Sequence, residues 1–95
     1  MREPVDCHFV DEGEGACVFF VHGIGASVDT WSGVVERLSP HFRCVRQDLR
    51  GHGRSPLPPL PYYLDDFVVD VERLRTRLGV DRIHVVGHSL GGMIA

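Results

Sequence analysis

The sequence predicts an α/β fold with a mostly parallel sheet, and three observations carry that expectation. From Ala16 onward, strand-like apolar runs alternate with segments of helical periodicity, the pattern of parallel strands joined by right-handed crossovers. Residues 16–21 (ACVFFV) are apolar at every position, which suits a strand covered on both faces. The run Ile83-His84-Val85-Val86 leads into Gly87-His88-Ser89-Leu90-Gly91 and then into the small-residue stretch ending at Ala95. That reads as a strand, a very sharp turn and the start of a helix. No internal repeat and no domain boundary is visible, so residues 1–95 form one unit.

In chain order, Val5 to Val10 alternates weakly and reads as a first strand. The polar, glycine-rich turn Asp11-Glu12-Gly13-Glu14-Gly15 joins it to the apolar run at 16–21 in what is expected to be an antiparallel hairpin. His22-Gly23-Ile24-Gly25-Ala26-Ser27 is a loop at that second strand's carboxyl end. A short helix follows over Thr30 to Leu38, with Asp29 or Ser27 as cap and Ser39-Pro40 as stop. Its apolar face is Trp31, Val34, Val35 and Leu38, spaced i, i+3, i+4 and i+7. Phe42 to Gln47 is the next strand and Asp48 to Ser55 a polar loop, stiffened by the proline-rich segment 56–61, which forbids helix there. Leu64 to Leu78 is the clearest helix. Leu64, Phe67, Val68, Val71, Leu74 and Leu78 form its stripe, Asp65 and Asp66 lie outside it in the first turn, and arginines crowd the last turns. Gly79 ends it, and the strand before the sharp turn begins near Arg82.

Composition is that of an ordinary globular chain, 43% hydrophobic and 24% charged, with a net charge of −3. Nothing in it marks a nucleic-acid or anionic-membrane partner. All ten basic residues are arginine. Without lysine, these residues hold no Walker-A phosphate loop, no S-x-x-K acyltransferase site and no lysine Schiff base. The amino terminus carries no apolar signal region and no run is long enough to span a bilayer, so a cytoplasmic location is the default expectation. Cys7, Cys17 and Cys44 lie in strand-like segments without metal-ligand spacing and read as buried apolar residues. No metal site is expected.

The chemistry is carried by the turn at residues 87–91. A G-x-S-x-G string between strand and helix holds its serine in a strained backbone conformation, so that the hydroxyl stands clear at the strand's carboxyl end. Strand and helix must then pass very close together, and Gly87 and Gly91 remove the Cβ atoms that would collide. The Leu90 N–H, at a helix N-terminus, can help stabilise an oxyanion. His88 adjoins the serine but points elsewhere in so tight a turn, and packing or hydrogen bonding is its expected role. A dinucleotide reading of Gly23-Ile24-Gly25, with Asp48 as ribose acid, fails because Val28 stands where the third glycine should be.

Three segments, HGIGAS at 22–27, DLRGHGRS at 48–55 and VVGHSLGGMIA at 85–95, make the chain resemble an α/β-hydrolase. Their wording is similar to that of 3-oxoadipate enol-lactonases, carboxylesterases and haloperoxidase-like members. The resemblance covers nearly the whole chain but only the N-terminal portion of the family's domain. It implies that the strand ending at Val21 lies beside the one ending at Gly87, that Ser89 is the nucleophile, and that the Ile24 and Leu90 amides form the oxyanion hole. It further implies that His22 and Gly23 shape the loop, that His52, Asp48 and Arg50 fix their own loop, and that no metal or organic cofactor takes part. Trp31, with Ile24, is a candidate for lining a substrate pocket, core packing being the plainer account. The partner implied is a small-molecule ester or lactone. The triad acid, the triad histidine and the cap fall outside these residues, so the 95-residue chain alone is expected to be nearly inactive and poorly folded. The rival readings are a non-catalytic binding module and a perhydrolase, C–C hydrolase or lyase on the same scaffold.

Overall fold

The computed structural model describes residues 3–95. Strands β1 (Phe9–Glu12), β2 (Cys17–Val21), β3 (Arg43–Gln47) and β4 (His84–Gly87) form one sheet in the order β1-β3-β2-β4. β2 pairs in parallel with β3 on one side and with β4 on the other. Every residue of β2 is buried, as its unbroken apolar run predicts. Alternate side chains go to opposite faces. Phe19 and Val21 join Val45, Leu49, Phe67, Val71, Leu74 and Ile94 in one core cluster, beneath helices α2 (Leu64–Arg77) and α3 (Leu90–Ile94). Val18 and Phe20 join Trp31, Val35 and Cys44 in the other, beneath α1 (Ser32–Leu38).

The expected hairpin does not form. β1 starts later than the alternation suggested, runs through Glu12, and pairs antiparallel with β3, not with β2. The cause lies at the glycines of the connection. Gly13 has φ +86°, and a Cβ there would stand 2.2 Å from the Phe42 carbonyl oxygen and 2.6 Å from that of Ser39. The connection therefore crosses tightly over the turn that leads into β3, and β1 lies on β3's far side. A bidentate Arg43–Asp11 pair and a single Arg46–Glu12 contact tie the two strands together.

The helices match their expected spans with two corrections. A 3₁₀ turn, Val28–Trp31, precedes α1, and of the two cap candidates it is Ser27 that accepts the Asp29 amide hydrogen. Val34 is exposed while Trp31 and Val35 are buried, because the 3₁₀ turn rotates the face that α1 presents. In α2, Leu64 is exposed and Asp66 is buried, the reverse of their expected places. Asp66 accepts the Tyr63 N–H at 2.7 Å, closing the helix N-terminus. Gly79, at φ +68°, ends α2 as expected. Cys7, Cys17 and Cys44 are buried free thiols, and burial raises the pKa of each. Among the described residues no helix is long and apolar enough to cross a membrane, and no cluster of His, Cys, Asp and Glu could hold a metal ion.

Candidate active site

The site is assembled where β2 and β4 end side by side, Val21 opposite Gly87. Ser89 has φ 56° and ψ −118°, the only positive φ at a non-glycine residue among those described. Such a conformation costs roughly 1–3 kcal/mol and persists only where its surroundings enforce it. The enforcement is visible on both sides. A Cβ at Gly87 would lie 2.2 Å from the Gly91 carbonyl oxygen, and one at Gly91 would lie 2.0 Å from that of Val21. The His88 N–H donates to the Val21 carbonyl at 3.1 Å, locking the turn to the end of β2. Ser89 is exposed, its Oγ without a hydrogen-bond partner among the described residues.

The loop after β2 approaches this serine directly. A Cβ on Gly23 would stand 3.1 Å from Ser89 Cβ and 3.2 Å from the His88 carbonyl oxygen, so a larger residue would push the two turns apart by a few tenths of an ångström. The wholly buried His22 fixes the loop. Its Nε2 accepts the Leu49 N–H at 3.0 Å, which leaves Nδ1 carrying the proton and donating to the Gly23 carbonyl at 2.7 Å. Burial holds the imidazole below its ordinary pKa, in keeping with this neutral tautomer. The Ala26 N–H donates to the same Gly23 carbonyl at 3.2 Å. Because a trans peptide points its C=O and N–H in opposite directions, fixing that carbonyl turns the Ile24 N–H away from His22. Neither this hydrogen nor that of Leu90, in the first turn of α3, has a protein acceptor among the described residues.

Asp48 and Arg50 hold the neighbouring loop. Asp48 accepts from the Val28 N–H at 2.7 Å, the Arg54 N–H at 3.0 Å and His8 Nδ1 at 2.8 Å. Burial alone would raise its pKa, and these donors outweigh burial and lower it. Both carboxylate oxygens are thus occupied, which removes the ribose-acid reading. Arg50 makes a bidentate, buried pair with Asp70 on α2, at 2.7 and 2.8 Å. Sequence reading missed both partners. The available signals were an acid interrupting the apolar stripe of α2 and a histidine one residue beyond Cys7. His52 turns Nδ1 to the Arg50 carbonyl at 3.0 Å and sets its ring 5.1 Å from that of His22. His88 is exposed and not packed beneath the site. Trp31 lies on the opposite face of the sheet, against Phe20 at 5.2 Å, so core packing is its place and it lines no pocket at the serine.

The side chains of Ile24 and Leu90 instead open onto an apolar groove of about 470 Å³, walled by Leu60, Leu64, Phe67 and Met93. A second, polar cleft of about 240 Å³ beside His8, Arg46 and Arg54 involves none of these residues.

A strand–turn–helix with a strained serine, next to a glycine loop that bares an amide hydrogen, is a recurring construction. The family model for the alpha/beta hydrolase fold matches residues 17–95. The chain belongs to the α/β-hydrolase fold family. Several of the relatives it matches within that family are hydrolases. It is 34% identical over 88 residues to a soluble epoxide hydrolase of a Corynebacterium species, covering 93% of this chain and 31% of the relative. It is 37% identical over 83 residues to an uncharacterised protein of Mycobacterium tuberculosis, covering 87% and 24%. The enol-lactonase from Burkholderia xenovorans superposes with a TM-score of 0.90 at 33% identity, over 93% of this chain and 35% of that one. This α/β-hydrolase chain thus spans between a quarter and a third of the length of the relatives it matches.

Proposed function

We propose that this chain carries the nucleophile and oxyanion hole of a serine hydrolase acting on carboxylic esters or lactones of small molecules. One observation supports the reading most: Ser89 is held at an enforced positive φ against the Gly23 loop, and the Ile24 and Leu90 amide hydrogens have no acceptor among the described residues. In the proposed reaction Ser89 Oγ attacks the substrate carbonyl and its proton passes to a base. The carbonyl π electrons move onto oxygen, and the two amides hold that oxyanion. Collapse expels the alcohol, which takes the proton, and water then cleaves the acyl-enzyme. Among these residues His22 and His52 are committed to backbone carbonyls and His8 to Asp48. With these three so engaged, the 95-residue polypeptide alone is expected to have little activity.

The epoxide hydrolase likeness does not transfer its substrate. A serine that opened an epoxide would be left as an ether, which water does not readily cleave, whereas a serine acylated by an ester or lactone is left as a hydrolysable ester. The test is turnover of p-nitrophenyl acetate, p-nitrophenyl butyrate and a panel of simple lactones by the full-length gene product, with acid and alcohol products identified. Ser89→Ala is expected to lower kcat by at least about a thousandfold. Turnover equal to wild type in that variant would refute the assignment.

A further inference from the structure

We propose that the groove beside Ser89 receives the acyl chain of the substrate, and that this chain is uncharged and apolar, several methylenes long. The inference rests on the serine-hydrolase reading and adds the substrate class. Its geometric basis is that Ile24 and Leu90 each face two ways. Their amide hydrogens are the proposed oxyanion donors, while their side chains line the groove. The groove therefore lies against both proposed oxyanion donors, and an acyl substituent leaving the carbon they serve can run into it.

The walls say what that substituent is. Leu60, Leu64 and Met93 present apolar surface that is 75%, 42% and 67% exposed, and all three line this one concavity. Exposed apolar side chains gathered around one concavity mark a ligand-binding surface. Of the polar groups in the wall, the Tyr62 hydroxyl donates to the Pro58 carbonyl and His52 Nδ1 meets the Arg50 carbonyl, which leaves His52 Nε2. No arginine lines the groove. Arg50, whose guanidinium lies 5.6 Å from the centre of the Tyr62 ring, is bound by Asp70. A carboxylate at the end of the acyl chain would lose its hydration here and find no countercharge.

The experiment is the kcat/KM of the full-length gene product on p-nitrophenyl acetate, butyrate, hexanoate, octanoate and the negatively charged half-ester of succinate. The expected result is a rise of about fourfold per added methylene over the shorter chains, and a succinate half-ester at least tenfold poorer than butyrate. Met93→Asp should lower the octanoate-to-acetate ratio about tenfold. Met93→Arg should raise the succinate half-ester relative to butyrate. A profile that is flat in chain length, or that favours the succinate half-ester, overturns the inference while Ser89-dependent turnover leaves the serine-hydrolase reading standing. Turnover that survives Ser89→Ala overturns that reading instead. Length dependence unaltered in both Met93 variants would place the chain elsewhere and also overturn the inference.

Discussion

At the scale of single residues, the site depends on atoms that are missing and on one neutral imidazole. The Gly91→Ala Cβ would stand 2.0 Å from the Val21 carbonyl oxygen, a backbone atom that cannot swing aside. Overpacking of this kind costs typically 1–3 kcal/mol, and contact with fixed backbone puts the cost at about 3 or more. Chemical denaturation of that variant should show the loss, and wild-type stability would mean the elbow is looser than described. His22 sets a pH dependence. Its folded-state pKa lies below 6.5 because it is buried, so below that pH the unfolded chain takes up a proton that the folded one refuses. Its contribution is complete above 6.5 and is lost as pH falls from there toward the folded pKa. Urea midpoints of the full-length protein should therefore drop as the pH falls below 6.5, and His22→Asn should flatten that part of the slope. The serine and its glycines were legible in the sequence because the G-x-S-x-G spacing is itself a steric requirement. The route from His22 through the Gly23 carbonyl to the Ile24 amide was not legible, since it depends on which ring nitrogen meets which backbone atom.

At the scale of elements, β2 and α2 could be read from periodicity alone, one apolar at every step and the other at helical spacing. β1 could not, because two glycines near a strand suggest a hairpin equally well whether the chain doubles back or crosses over a neighbour. The collision of a Gly13 Cβ with the Phe42 and Ser39 carbonyls decides it, and those residues are nearly thirty positions away. The acid inside the α2 stripe was similarly opaque until Arg50 arrived from the loop after β3. With Asp70 wholly buried and Arg50 6% exposed, removing one member leaves an uncompensated buried charge. Such losses cost about 3–5 kcal/mol. Arg50→Met should cost about that much in the full-length protein, and Arg50→Met with Asp70→Leu together should recover much of it. Equal destabilisation in the single and double variants would mean that the pair is not coupled.

At the scale of the whole molecule, the sheet is well covered at β2 and β3 and open beyond β4. Val85 and Val86 are 37% and 41% exposed on a strand bonded only to β2. An open apolar edge of a mainly parallel sheet is unstable in isolation and prone to association. The 95-residue polypeptide alone is expected to melt without a cooperative transition, and a sharp monomeric transition in calorimetry would contradict this. Whether Ser89 is the nucleophile is tested most directly by treating the full-length gene product with a fluorophosphonate probe and locating the adduct by peptide mass. One adduct is expected, on Ser89, absent after heat denaturation and absent in Ser89→Ala. Labelling of a different serine, or none in a protein that still turns over esters, would contradict it.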